Sequence, residues 1–182
     1  MRNDTRSIAA AAVVGALYAV LTMALAPISY GAIQFRISEA LCVLPYFLPS
    51  TAWGLFIGCA VANMLTGNVL DIVFGSLATL LAGLCTAYFG RKPSTAFRRI
   101  AGCMMPVVFN ALIVGAVITR AYNGMGIFSN LPVFALNCAQ VGLGEAAVML
   151  LLGLPLMHYL PTRQFFREFV SKTSHASKGG EK

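Results

Sequence analysis

The sequence predicts an all-α integral membrane protein of six spanning helices, on three observations. Hydrophobic residues make up 58% of the 182-residue chain and charged residues only 10%, against roughly 25% charged in soluble domains. Mean hydropathy is +0.78, and a soluble fold of this length has too little interior for so much apolar surface, so the bilayer is part of its solvent. The apolar blocks are continuous rather than alternating. That selects helices over a closed barrel, the two structures that satisfy their own backbone in lipid.

Residues 1–7 are polar, and helix 1 is expected over 8–26, close to the ~20 residues a span needs. Ala24-Leu25-Ala26 resembles a signal-peptide cleavage site, but the apolar run exceeds the usual ~7–15 residues, which favours a retained helix. Ala12 and Ala16 are four apart, as are Ala11, Gly15 and Ala19. Such a stripe lets another helix approach closely, either within this chain or from a partner subunit. Residues 27–44 follow and carry Arg36 and Glu39, with helix 2 expected over 38–48. A turn at Pro49-Ser50-Thr51 leads to helix 3 over 52–66. Helix 4 is expected over 71–89, with Asp71 placed to act at its start. Helix 5 (100–122) contains Pro106, which should bend it, and helix 6 covers 132–153. The chain thus divides into a membrane domain, 1–162, and a basic tail, 163–182, expected to be mobile.

Charge placement orients the bundle. Of 13 Lys and Arg, all but Arg36 and Arg120 fall at the N-terminus, in the loop after helix 4 or in the tail. Six spans put those three segments on one side, and the positive-inside rule makes it the cytoplasm, with both termini there. The net charge of +7 is thereby explained without a nucleic-acid partner. Gly90-Arg91-Lys92 lacks the first glycine of a phosphate loop, since Cys85 stands at that position, so the chain has no such ATP site. Five cysteines, odd in number and without CxxC spacing, read as small buried hydrophobes rather than metal ligands or disulfides. His158 and His175 have no nucleophile or carboxylate at recognisable spacing, so no catalytic set emerges and no cofactor is expected.

Polar residues inside apolar helices need a reason. A charge at a helix centre costs about 2.5–3.5 kcal/mol on insertion scales, and Glu145 stands inside helix 6. Asn137, Gln140, Gly144 and Glu145 share an arc of about 140°. They make either an interhelical hydrogen-bond network or an internal ligand site. Asn63, Asp71 and Asn110 are placed by topology to line the same cavity, each with a structural alternative as a helix-packing amide or a cap. Arg36 and Glu39 either pair at i,i+3, worth about 0.2–0.5 kcal/mol, or join Gln34 in a lid closing the site, with Gly31 as its bend.

The segments APISYGAIQFRISEAL (26–41), GLFIGCAVANML (54–65) and LDIVFGSLATLLAG (70–83), with Gly144-Glu145, closely resemble the QueT family. Its members are substrate-binding S components of energy-coupling factor (ECF) transporters. The resemblance implies a six-helix S-component bundle that takes up queuosine precursors, 7-deazaguanine bases such as 7-aminomethyl-7-deazaguanine or queuine. It also implies an ECF module of two cytoplasmic ATPases and a transmembrane coupling subunit. The stripe of Ala12, Gly15, Ala16 and Ala19 resembles the first-helix surface that docks on that subunit. On this reading Glu145 accepts the two donors of a guanine-like edge, and Gln140 and Asn137 read the remaining groups. Asp71 or Glu39 takes an aminomethyl cation, and Tyr30, Phe35 or Tyr122 stacks on the base. An S component for another vitamin-like substrate, a membrane-embedded enzyme and a structural bundle are the competing readings.

Overall fold

The computed structural model describes residues 2–30, 34–124, 126 and 128–178, and every regular element among them is helical. Helix α1 spans Arg2–Ala24 and breaks before a short α2, Ala26–Ser29, that has a proline at its start. A 3₁₀ helix, Ile37–Tyr46, comes next, followed by α3, Thr51–Asn63. After a π-helical turn, Asp71–Gly75, the chain enters α4, Ser76–Gly90. Helix α5, Ala96–Val117, and α6, Leu131–Val148, each run on into a π turn, Ile118–Tyr122 and Met149–Gly153. Helices α7, Leu154–Tyr159, and α8, Gln164–Lys178, complete the described chain.

Among the described residues, four segments are long and apolar enough to cross a bilayer: Thr5–Ala24, Asp71–Gly90, Ala96–Ala121 and Leu131–Thr162. Two apolar helices, Ile37–Tyr46 and Thr51–Thr66, are shorter. The outer surface is apolar where these helices face away from one another, with Leu143 and Leu151 exposed by about two-thirds. Leu and Val side chains in such positions are stable against lipid tails and would not be against water.

Helices α1, α3, α4, α5 and α6 pack each on the next, and the 3₁₀ helix Ile37–Tyr46 touches all five. The segment expected as helix 2 therefore runs through the middle of the bundle. Its helix type follows from its task. At about 2.0 Å per residue, ten residues of 3₁₀ helix reach about 20 Å, against about 15 Å for α-helix. With three residues per turn, Arg36, Glu39, Cys42 and Pro45 share one face.

Local chemistry closes the remaining backbone gaps. Thr95 caps α5 by accepting from Arg98 N–H at 3.3 Å. Pro106 inside α5 has no N–H for the Gly102 carbonyl one turn back, and the Thr86 hydroxyl of α4 donates to that carbonyl at 2.8 Å. In lipid such a substitute donor is needed, because no water reaches the freed carbonyl.

One end of the bundle gathers the basic segments. Tyr46, at the end of the 3₁₀ helix, donates to Ser94 at 2.9 Å in the loop before α5. The neighbouring Phe47 ring meets Phe166 of α8 edge-on, and α8 packs against α1. Residues 164–178 thus form a docked helix, where the sequence suggested a mobile tail.

Candidate functional site

Four charged side chains are buried among the described residues: Arg36, Glu39, Asp71 and Glu145. They come from the approach to the 3₁₀ helix, the 3₁₀ helix itself, the π turn before α4, and α6. Asn63 of α3 and Asn110 of α5 are buried with them. Six of the nine polar positions expected from sequence therefore enter one interior region. Glu39, Arg36 and Asn110 all neighbour the Glu145 carboxylate, and Asp71 lies near enough to act on Arg36.

Glu39 is held from two sides. Tyr18 of α1 donates to Oε1, and the Cys42 thiol donates to Oε2 at 3.0 Å. The second contact is a direct product of the 3₁₀ repeat, which stacks residue 42 above residue 39. Cys42 is thus a polar partner and not merely a small hydrophobe. Beside this pair, Thr22 and Ser38 share a hydrogen bond of 2.6 Å, tying α1 to the same helix. Tyr18 and Thr22 carried no charge to mark them; their one-turn spacing on α1 is the signal that could have found them.

Arg36 behaves differently. Its guanidinium lies 5.5 Å from the centre of the Tyr30 ring, and Tyr30 donates to the Ala62 carbonyl at 2.6 Å. The i,i+3 ion pair with Glu39 is not formed: the one ion pair within 4.0 Å among the described residues joins Glu168 and Lys172. Among the described residues, Arg36 Nε and Nη2 are buried without a hydrogen-bond partner, as are Glu145 Oε1 and Asn63 Oδ1. The other end of the Asn63 amide is occupied, donating to the Asp71 carbonyl at 3.1 Å. Leaving such groups unpaired costs about 1–3 kcal/mol each, and more for charged ones. Unpaired donors and acceptors therefore lie in the same interior, a pattern that suits a ligand bearing both kinds of group.

Of the remaining expected residues, Asn137 is engaged elsewhere. Asn137 donates to Thr119 of the π turn after α5 at 2.9 Å, and Thr119 in turn donates to the Gly115 carbonyl at 2.8 Å. Eight residues separate Asn137 from Glu145, about 12 Å along α6. Gln140 is half-buried between them. Gln34 is half-buried with a left-handed backbone, φ 49°, a conformation uncommon outside glycine. Gly31, expected as the bend of a lid, lies outside the described residues, and so does the side chain of Tyr122. Phe35 is half-buried.

The small-residue stripe of α1 divides in two. Gly15 and Ala19 are buried. A Cβ on Gly15 would overlap the Gly54 carbonyl, and one on Gly54 would overlap the Ala11 carbonyl, so α1 and α3 meet backbone to backbone. Ala12 and Ala16 stay exposed and, with Trp53, Ile57 and Val61, line an outward groove of about 610 Å³. A second groove, of about 340 Å³, lies between Phe74, Leu112 and Arg120. Both grooves are apolar surfaces apart from the buried polar cluster.

A protein-family model described as the QueT transporter matches residues 8–162. Among curated proteins, the queuosine precursor transporter QueT of Lactococcus lactis subsp. cremoris (strain MG1363) is 40% identical over 82 residues. That alignment takes in 44% of this chain and 48% of the relative, so the match spans about half the length of the relative. No solved structure matches. The chain belongs to the QueT transporter family, and with its four long apolar helices it is a multi-pass membrane protein.

Proposed function

We propose that this member of the QueT transporter family is the substrate-binding S component of an ECF-type transporter for 7-deazaguanine precursors of queuosine. The observation that carries the reading is the set of unpaired buried atoms: Arg36 Nε and Nη2 as donors, Glu145 Oε1 and Asn63 Oδ1 as acceptors. A deazaguanine edge presents a carbonyl acceptor beside a ring N–H and an amino group. In this proposal the Arg36 fork takes the carbonyl, while Glu145 takes the two donors, a bidentate match worth about 1–3 kcal/mol of discrimination. Glu39, fixed by Tyr18 and Cys42, and Asp71 supply negative charge for an aminomethyl cation. Asn110 supports Glu145, and Gln34 and Gln140 flank the site.

Six spans with both termini in the cytoplasm fit this role. The two short apolar helices complete the four long ones, and the basic segments gather at one end of the bundle. An ECF module of two ATPases and a coupling subunit would provide the energy. The exposed row of Ala12 and Ala16, backed by Gly15 and Ala19, offers that subunit a smooth helix face.

Thermal unfolding of the purified protein tests the substrate. A ligand present at 100 times its Kd stabilises the fold by about 2.7 kcal/mol. The aminomethyl base or queuine should raise the melting temperature, while riboflavin and biotin should leave it unchanged. Stabilisation by riboflavin or biotin instead would assign the site to a different vitamin-like substrate.

A further inference from the structure

Helix α8 has no part in the proposed binding site, yet its two faces are sharply different. At 100° per residue, Phe165, Phe166, Phe169, Val170 and Thr173 fall within an arc of about 140°. Arg167, Glu168, Ser171 and Lys172 fall outside it. The bundle covers only part of the apolar arc. Phe166 meets Phe47 with ring centres 5.4 Å apart at 88°, and Thr173 is buried. Phe165, at the opposite edge, is 83% exposed and stacks on half-buried Phe169 at 6.4 Å.

The chain reaches α8 directly from the apolar segment Leu131–Thr162, with Arg163 alone between them. The helix therefore starts just past the end of an apolar segment that is long enough to span the bilayer. Tyr159, at that boundary, is half-exposed, and the Arg163 guanidinium lies 4.3 Å from its ring centre. An exposed aromatic at this level, with a cation on its face, is the arrangement found where side chains straddle headgroups and acyl chains.

Charge on the polar side is net positive. Arg163, Arg167 and Lys172 are exposed. Glu168, the only acid in the helix, is engaged by Lys172 at 3.6 Å and by the Gln164 amide at 3.1 Å. Among the described residues, Arg163 and Arg167 thus keep their charge without a carboxylate within ion-pair distance.

We infer that α8 lies along the membrane surface and binds the phosphates of an anionic lipid leaflet. Phe165 and Phe169 enter the boundary between headgroups and acyl chains, and Arg163 and Arg167 contact lipid phosphates. Apolar insertion and charge attraction together make such a helix sensitive to lipid composition. Phe166 and Thr173 meanwhile fix the helix to the bundle, so the charge pair is presented at a set position beside α1.

The test uses the full chain in vesicles. The single tryptophan is removed by Trp53→Phe, and Phe165→Trp places the reporter on α8; its side chain is largely exposed, so the fold should tolerate the exchange. Emission is read with lipids brominated near the headgroup end of the acyl chain. Quenching should be at least twofold stronger in phosphatidylglycerol than in phosphatidylcholine vesicles. Arg163→Gln with Arg167→Gln, or high salt, should abolish that difference. Equal quenching in both lipids would overturn the headgroup contact. Full access of position 165 to an aqueous quencher would overturn the surface placement. Protection that appears only when a protein subunit is added would reassign the face to that protein.

Discussion

Helix α1 takes part in two interfaces of opposite character. Along Ala11 and Gly15 it closes on Gly54 of α3, backbone on backbone. Further along, Tyr18 and Thr22 reach Glu39 and Ser38 of the 3₁₀ helix, the edge of an interior where Arg36, Asn63 and Glu145 keep unpaired atoms. The seam draws its stability from close dispersion contact, the chief source available between helices in lipid. The polar interior does the reverse: it holds groups whose hydrogen bonds are unmade, and in the proposed function a ligand that makes them is bound by the difference. Stability and binding should therefore separate cleanly between the two regions.

The largest effect is expected at the seam. Gly54→Leu drives a side chain into the Ala11 carbonyl, which neither helix can move away from cheaply. A loss of about 3 kcal/mol or more is expected, at the upper end of overpacking effects, read as a lower melting temperature in detergent. An unchanged melting temperature would mean that the two backbones are not in contact.

In the polar interior the expected result is inverted. Glu145→Gln removes one carboxylate beside Glu39 and should leave the ligand-free melting temperature equal or higher. Affinity for the deazaguanine base should fall at least tenfold, about 1.4 kcal/mol. Arg36→Lys keeps the charge but loses the planar fork, and ligand release should accelerate by a similar factor. Unchanged affinity in both variants would return these residues to a structural network.

Asn137 sharpens the contrast from within the same helix, because its amide is already engaged by Thr119. Asn137→Ala should lower stability by about 0.6–1.7 kcal/mol, the range for interhelical hydrogen bonds in membranes, with affinity held within twofold. A large loss of affinity would bring Asn137 back into the binding site.

How much of this was legible beforehand depends on the kind of signal. Glu145, Asp71, Asn63 and Asn110 stood out because a polar side chain in an apolar block is expensive wherever the block packs. Gly15 and Ala19 stood out as a smooth stripe, but the stripe alone did not say whether α3 or another subunit would cover it. Tyr18 and Cys42 were hidden, since both are ordinary residues of buried apolar helices until a carboxylate is placed against them. Asn137 and Glu145 looked equivalent on one arc of α6. Only their partners distinguish them.

The sequence by itself determined the solvent, the helical class and the residues whose burial needs compensation, because those follow from transfer free energies summed along the chain. Tertiary structure decided the rest. It drew Ile37–Tyr46 into the centre as a 3₁₀ helix, which buried Arg36 and Glu39 without an ion pair between them. It also docked α8 on the bundle. These outcomes depend on which side chains meet across helices, a long-range matter of packing that local spacing does not encode.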